Sequence, residues 1–291
     1  MSADAAFAYM TLKSTLERLE AEPLLVYPYL NMLSRIHYGL WNAEHLCIFA
    51  QKPDLLWIDT KEGWERRGAK VTASENAAIR VPFLANDGSL EHIRTDLYYD
   101  MTQTDSFFKN YKLFLLRPDR LKRLVSKVIE DLGIEIRYGK PGSQRFEFGT
   151  YYDAKENVLW IQTGDDGDSM ICRSLLYAAV RILNSREGPY SMIVEEAAQY
   201  MLFTRYDIST LALLPLDIPS EWYEKSEEKD GSKQKDSPGG AIYSDLEHAR
   251  YLFAMIVAKI EEIMHKEAEE TKRQPALFEI PAGTRKISIA K

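Results

Sequence analysis

Pro118-Asp119-Arg120-Leu121-Lys122-Arg123-Leu124-Val125-Ser126-Lys127-Val128-Ile129-Glu130-Asp131-Leu132-Gly133 carries its own start and stop signals. Pro118 suits the first turn of a helix, where a missing N–H costs nothing. Gly133 suits the position just past the last turn, so the stretch predicts a helix over residues 119–132. Three short apolar runs follow, at 134–137, 145–148 and 158–162, separated by polar turns, and they read as strands. Beyond an acidic loop at 165–168, residues 171–184 and 191–206 read as two more helices. The order helix, small antiparallel sheet, two helices predicts an α+β unit.

Upstream, residues 5–20 place Ala5, Tyr9, Leu12, Leu16 and Leu19 at helical spacing. Pro23 and Pro28 interrupt the chain, and residues 29–50 resume a helical or helix-turn pattern. Residues 54–58 lead into a short helix over 62–67. Residues 78–84 and 95–101 are rich in Ile, Val, Phe and Tyr and read as strands, with Asn86-Asp87-Gly88 as the turn signal between them. This first unit closes near Arg117. The predicted fold class is therefore α+β in two domains: a helix-plus-small-sheet domain at 1–117 and a helix and antiparallel-sheet domain at 118–291. Within the second, residues 224–240 hold almost no apolar side chain and read as a flexible insertion. Residues 244–270 read as a long helix with Leu246, Leu252, Met255, Ile256, Ile260 and Ile263 on one face. Residues 276–289 read as an extended tail.

The 291 residues are 45% apolar and 28% charged, an ordinary globular composition. No apolar run reaches the roughly 18 residues that a membrane span needs. The first residues lack the basic and apolar regions of a signal peptide, so a cytoplasmic location is expected. Cys47 and Cys172 lie far apart in apolar settings and are expected as buried thiols. With 44 acidic against 37 basic residues and a net charge of −7, bulk charge does not mark a nucleic-acid binder. A local basic face remains open, because phosphate affinity depends on where cations cluster.

The five histidines, His37, His45, His92, His248 and His265, include no pair at HExxH spacing. That spacing would put two imidazoles on one helical face beside a general base. His37 and His45 are eight apart and are read as packing residues rather than ligands. GxSxG, P-loop and GxGxxG patterns are all missing. Asp165, Asp166 and Asp168 lack the spacing and the distal bidentate Glu of a calcium loop. Glu195 and Glu196 sit inside an otherwise apolar helix. One reading has one carboxylate exposed and the other paired with an arginine; the other makes them functional. Cations at Lys52, Lys61, Arg66, Arg67, Lys70 and Arg80 surround the aromatics Tyr38, Trp57 and Trp64. Single-strand binding without sequence preference uses that combination, cations for phosphates and ring faces for bases. A large aromatic is more often core than platform, however, and packing is the favoured reading of each tryptophan.

Asn42, then Ala50-Gln51-Lys52-Pro53-Asp54, then Trp64, Gly68 and Val71, then Ile79-Arg80-Val81, and finally Tyr99-Asp100-Met101-Thr102-Gln103-Thr104 stand in a recurring order. Over residues 27–105 this resembles the N-terminal domain of the ArdC family of antirestriction proteins and the related LtrC-like proteins of conjugative elements. The resemblance implies a single-stranded DNA-binding domain on a mobile genetic element. Where the family carries a Lys- and Gly-rich loop, this chain reads Thr72-Ala73-Ser74-Glu75-Asn76, so that loop is not expected to contact phosphates. The second half resembles the family's zinc-peptidase-like domain, through Gly149-Thr150-Tyr151-Tyr152-Asp153 and Asn157-Val158-Leu159-Trp160-Ile161, which match a hairpin. The helix that carries T-L-x-H-E-L-x-H-x-L in active relatives here reads Ser174-Leu175-Leu176-Tyr177-Ala178-Ala179-Val180-Arg181-Ile182-Leu183.

The resemblance thus implies a zincin-like domain with Tyr177, Ala178 and Arg181 at the histidine and base positions, and Glu196 at the third-ligand position. One carboxylate cannot hold a catalytic zinc, so no metal, no cofactor and no enzyme activity are expected. An Arg181–Glu196 ion pair is expected in the metal's place. The function this favours is a single-stranded DNA-binding accessory or antirestriction-type protein, with a restriction or conjugation component as a further partner. The alternatives are a protein-interaction module without DNA affinity and an enzyme with an unrecognised site.

Overall fold

A computed structural model describes residues 3–36, 42–83, 94–105, 116–139, 142, 145–162, 167–188, 190–222 and 240–273. It is an α+β protein whose described residues form eight α-helices and two three-stranded sheets. In the first half, α1 (Ala3–Ala21) and α2 (Val26–Arg35) precede α3 (Asn42–Gln51), β1 (Ile58–Thr60), α4 (Lys61–Arg66), β2 (Ile79–Phe83) and β3 (Arg94–Asp100). The second half contributes α5 (Pro118–Asp131), β4 (Glu135–Tyr138), β5 (Thr150–Asp153), β6 (Val158–Ile161), α6 (Asp168–Glu187), α7 (Met192–Arg205) and α8 (Gly240–Arg273). The expected 224–240 insertion, except for Gly240, lies outside the described residues. So do the 276–289 tail and the Asn86-Asp87-Gly88 turn.

The first sheet has the order β1-β3-β2, antiparallel throughout, with Ile58 opposite Asp100 and Ile79 opposite Tyr98. In the second, β5 pairs antiparallel with β6, but β4 pairs parallel with β6. The sheet is therefore mixed, which corrects the antiparallel expectation. Residues 145–148 are also not a strand. Phe148 and Gly149 have φ of +48° and +75°, and Glu147 and Thr150 exchange both backbone hydrogen bonds across them. Two central residues at positive φ are the mark of a tight hairpin turn. Phe148 is apolar because its ring stacks on Tyr177, 4.3 Å between centroids, and not because it belongs to a ladder.

Helix α5 buries Leu121, Leu124, Val125, Val128 and Ile129, the i, i+3, i+4, i+7, i+8 stripe of a one-sided helix. Gly133, at φ +75°, donates to Glu130 O and ends it. One apolar cluster runs from Leu19 in α1 to Ile263 in α8. Helix α7 is its centre, packed against α2, α6 and α8. Polar bonds reinforce this: Arg205 donates to Ser34 O at 3.0 Å, and Leu216 N donates to the Tyr27 hydroxyl at 2.9 Å. The last turns of α8 are held by charge. Arg123 and Lys127 of α5 both donate to Glu267, and together they hold its carboxyl at about 2, well below the usual range. Cys47 and Cys172 are buried, and burial pushes each thiol up to about 12, so both stay protonated and unreactive at neutral pH. Among the described residues, no helix is long and apolar enough to cross a membrane.

Candidate functional site

Three of the candidate cations, Lys61, Arg66 and Arg67, lie on α4 or at its C-terminal cap. Thr60 caps this helix, its hydroxyl accepting from Gly63 N at 3.0 Å. Lys61, Arg66, Arg67, Lys70 and Arg80 are all exposed, whereas Lys52 is half-buried and lies 3.1 Å from Asp54 and 3.9 Å from Asp100. Arg67 lies over the half-buried Trp57 ring, 5.1 Å from its centroid, and its Nε donates to Asp59 Oδ2 at 3.0 Å. Trp64 is different. It is 1% exposed, and its indole N–H donates to Tyr99 O at 2.8 Å. It packs with Ala69, Tyr99 and Met101 in a small buried cluster, the core reading of this tryptophan and not the platform one. Tyr38 lies outside the described residues, as does the side chain of Asn42.

The motif residues of this half turn out to be its joints. Gln51 accepts from Arg80 N at 2.9 Å and donates to Arg80 O at 2.8 Å, so one side-chain amide satisfies both backbone groups at that position of β2. Asp100 is fully buried. Its Oδ1 accepts from Leu56 N and Trp57 N at 2.9 and 3.0 Å, and its Oδ2 accepts from the Thr102 hydroxyl at 2.5 Å. Gln103 completes a capping box by accepting from Asp100 N at 2.8 Å, while its amide donates to Ala77 O at 2.7 Å.

The second candidate site lies between α6, α7 and the 147–150 turn. Ser174 donates to Phe148 O at 2.6 Å, which docks the turn on α6; a Cβ on Gly149 would stand 2.9 Å from that hydroxyl oxygen. The docked turn brings Glu147 over Tyr177 and Arg181, one helical turn apart. Tyr177 donates to Glu147 at 3.3 Å, and Arg181 donates both to Glu147 and to the Tyr177 oxygen. On the other side, Arg181 Nε is 3.6 Å from Glu195 Oε2, and Asn184 donates to Glu195 Oε1. Ala178 is buried and contributes no polar group.

The expected Arg181–Glu196 pair is not formed; Glu195 is the carboxylate that faces Arg181. Adjacent helical residues point about 100° apart, and Glu196 instead accepts from Asp217 N at 2.8 Å. Burial raises the Glu196 pKa, and that one backbone donor opposes it. Burial also raises the Tyr177 phenol. For Arg181, burial works against the charge. The Tyr177 oxygen and the Glu147 and Glu195 carboxylates outweigh it and hold the guanidinium above its ordinary pKa. A fixed cation thus sits between two carboxylates. Among the described residues, the arrangement has no imidazole. Glu147 and Asn184 are not singled out by the sequence, whereas Glu195 is singled out beside Glu196 but not assigned to Arg181. Asn184 was the available signal, since it extends the Tyr177, Arg181 stripe by three residues. Among the described residues, no group of three or more His, Cys, Asp or Glu is placed to hold a metal ion.

No family model matches the chain, and no curated protein matches it. Among solved structures, it is similar to the crystal structure of antirestriction ArdC protein from the R388 plasmid in its Mn(II)-bound form. The TM-score is 0.44 at 10% identity, covering 86% of this chain and 97% of that one.

Proposed function

We propose that this chain is a single-stranded DNA-binding accessory or antirestriction-type protein of a mobile or conjugative element, with a peptidase-like second half that acts as scaffold. The observation that carries the DNA-binding reading is Arg67 lying over the half-buried Trp57 ring, in a half of the chain that also exposes Lys61, Arg66, Lys70 and Arg80. Cations beside an aromatic face supply both terms of single-strand binding, phosphate neutralisation and base stacking. The order of short motifs over residues 27–105 supports the mobile-element assignment. Fluorescence anisotropy with a labelled oligothymidylate tests it. The expected result is binding at low ionic strength that weakens steeply with salt, by a log–log slope of about −0.7 per phosphate contacted. Substituting Lys70 and Arg80 together by alanine should flatten that slope. A wild-type chain that gives no salt-sensitive binding would sink the reading.

The scaffold role of the second half rests on the guanidinium of Arg181. A fixed cation held between Glu147 and Glu195 repels a dication, and no histidine is there to offset this. Purified protein is therefore expected to contain no stoichiometric zinc by elemental analysis and to hydrolyse no peptide substrate. One zinc per chain would overturn this part of the proposal. A protein-interaction module without DNA affinity is the second reading. It is favoured by the pairing of Lys52 with Asp54 and of Arg67 with Asp59, which occupies two of the candidate cations internally.

A further inference from the structure

Asp59 pairs with Arg67 edge-on, and Arg67 in turn lies over the indole of Trp57. Asp59 Oδ2 lies 3.0 Å from Arg67 Nε, and the guanidinium carbon lies 5.1 Å from the Trp57 centroid. The carboxylate is held from two sides. Its Oδ1 accepts from Thr60 N at 2.8 Å, and its carboxyl group occupies the space that a side chain at residue 63 would fill. A Cβ on Gly63 would stand 1.8 Å from Oδ1, so only glycine admits the carboxylate in this position. Helix formation alone does not favour glycine here: Gly63 lies within the helix Lys61–Arg66, where alanine is the better helix former by about 1 kcal/mol.

We infer that Asp59 is a built-in competitor for the DNA phosphate, tethered by Gly63 so that Arg67 and the Trp57 face are partly withheld from single strands. This rests on the DNA-binding reading above and concerns how that face is tuned. In the free protein, Asp59 satisfies the Arg67 charge and Arg67 covers the ring. A strand that binds here must replace the carboxylate with a phosphate oxygen, and its base must share or displace the guanidinium on the indole. The Arg67 and Asp59 side chains are 41% and 21% exposed, so the exchange requires no unfolding. Neutralising the competitor frees one cation for the strand.

The test is anisotropy with an oligothymidylate of about 16 nucleotides, using the full chain and four variants whose folding is verified by circular dichroism. Asp59→Asn keeps an oxygen for Thr60 N but removes the charge. It is expected to bind roughly two- to fivefold more tightly at low ionic strength, the worth of an exposed ion pair. Its salt slope should steepen by about 0.7, one further phosphate neutralised. Gly63→Ala leaves the charge in place but pushes the carboxylate away from Arg67, and it should shift affinity in the same direction. Combining Asp59→Asn with Arg67→Ala should erase the gain relative to Arg67→Ala alone. If the wild type binds and neither Asp59→Asn nor Gly63→Ala binds more tightly, the inference is overturned while the DNA-binding reading stands. A gain that persists in the Arg67→Ala background also overturns it, since the effect is then general charge and not the latch. If wild type and Asp59→Asn both fail to bind at low salt, the functional reading and the inference fall together.

Discussion

Replacing Asp100 by alanine is expected to destabilise the protein by about 3–5 kcal/mol. The carboxylate is fully buried and is the acceptor for Leu56 N, Trp57 N and the Thr102 hydroxyl. The half-buried Leu56 and Trp57 amides depend on this one side chain, whereas the hydroxyl of the exposed Thr102 can turn to water. Alanine leaves the two amides without their acceptor and strips Lys52 of one of its two carboxylates. Each orphaned donor costs about 1–3 kcal/mol, partly relieved where water reaches it. Asp100→Asn is the informative control. Its Oδ1 still accepts from the two backbone groups, so it should cost only about 1–2 kcal/mol, the difference between a charged and a neutral acceptor. Urea unfolding followed by circular dichroism separates the two variants. If Asp100→Ala unfolds within about 0.5 kcal/mol of wild type, the carboxylate is not the joint of the first sheet.

That joint also shows what the chain made legible before any coordinates. Helices announced themselves through spacing and punctuation: Pro118 and Gly133 bracket α5, and the Leu121 to Ile129 stripe lies on its buried face. Strand existence was readable, since β2 carries Ile, Val and Phe and β3 carries Thr, Leu and two Tyr. Strand pairing was not, because β4 finds β6 across an intervening hairpin and nothing local dictates that partner. Phe148 misled for the opposite reason. Its apolar character serves Tyr177 on a helix, and the backbone at φ +48° belongs to a turn. At the α6–α7 site the error was one of helical phase. Glu195 and Glu196 are neighbours in sequence, but only Glu195 faces Arg181. Gln51, Asp100 and Gln103, quoted for the family resemblance, form hydrogen bonds that tie backbone segments together within the fold.

The second large effect is expected at Trp64, and it separates scaffold from contact. Trp64→Ala should destabilise the protein by about 3–5 kcal/mol, the usual cost of removing a buried aromatic. The ring anchors a small cluster with Ala69, Tyr99 and Met101, set apart from the main core. A cluster of four buried residues has little room to redistribute a lost side chain, so the cavity should stay largely open. The lost indole also removes the donor to Tyr99 O, in the strand that holds Asp100. For DNA binding the informative variant is Trp64→Leu, which keeps apolar volume but has no aromatic face. If Trp64 is core, folded Trp64→Leu protein should bind oligothymidylate as wild type does, at a temperature where both are folded. A base-stacking platform would instead lose about 1–3 kcal/mol of binding per base. Trp57, half-buried and covered by Arg67, should show the reverse pattern: Trp57→Leu should weaken binding and leave the unfolding midpoint nearly unchanged. Equal stability of Trp64→Leu and wild type, together with a loss of affinity, would return Trp64 to the binding face and remove it from the core.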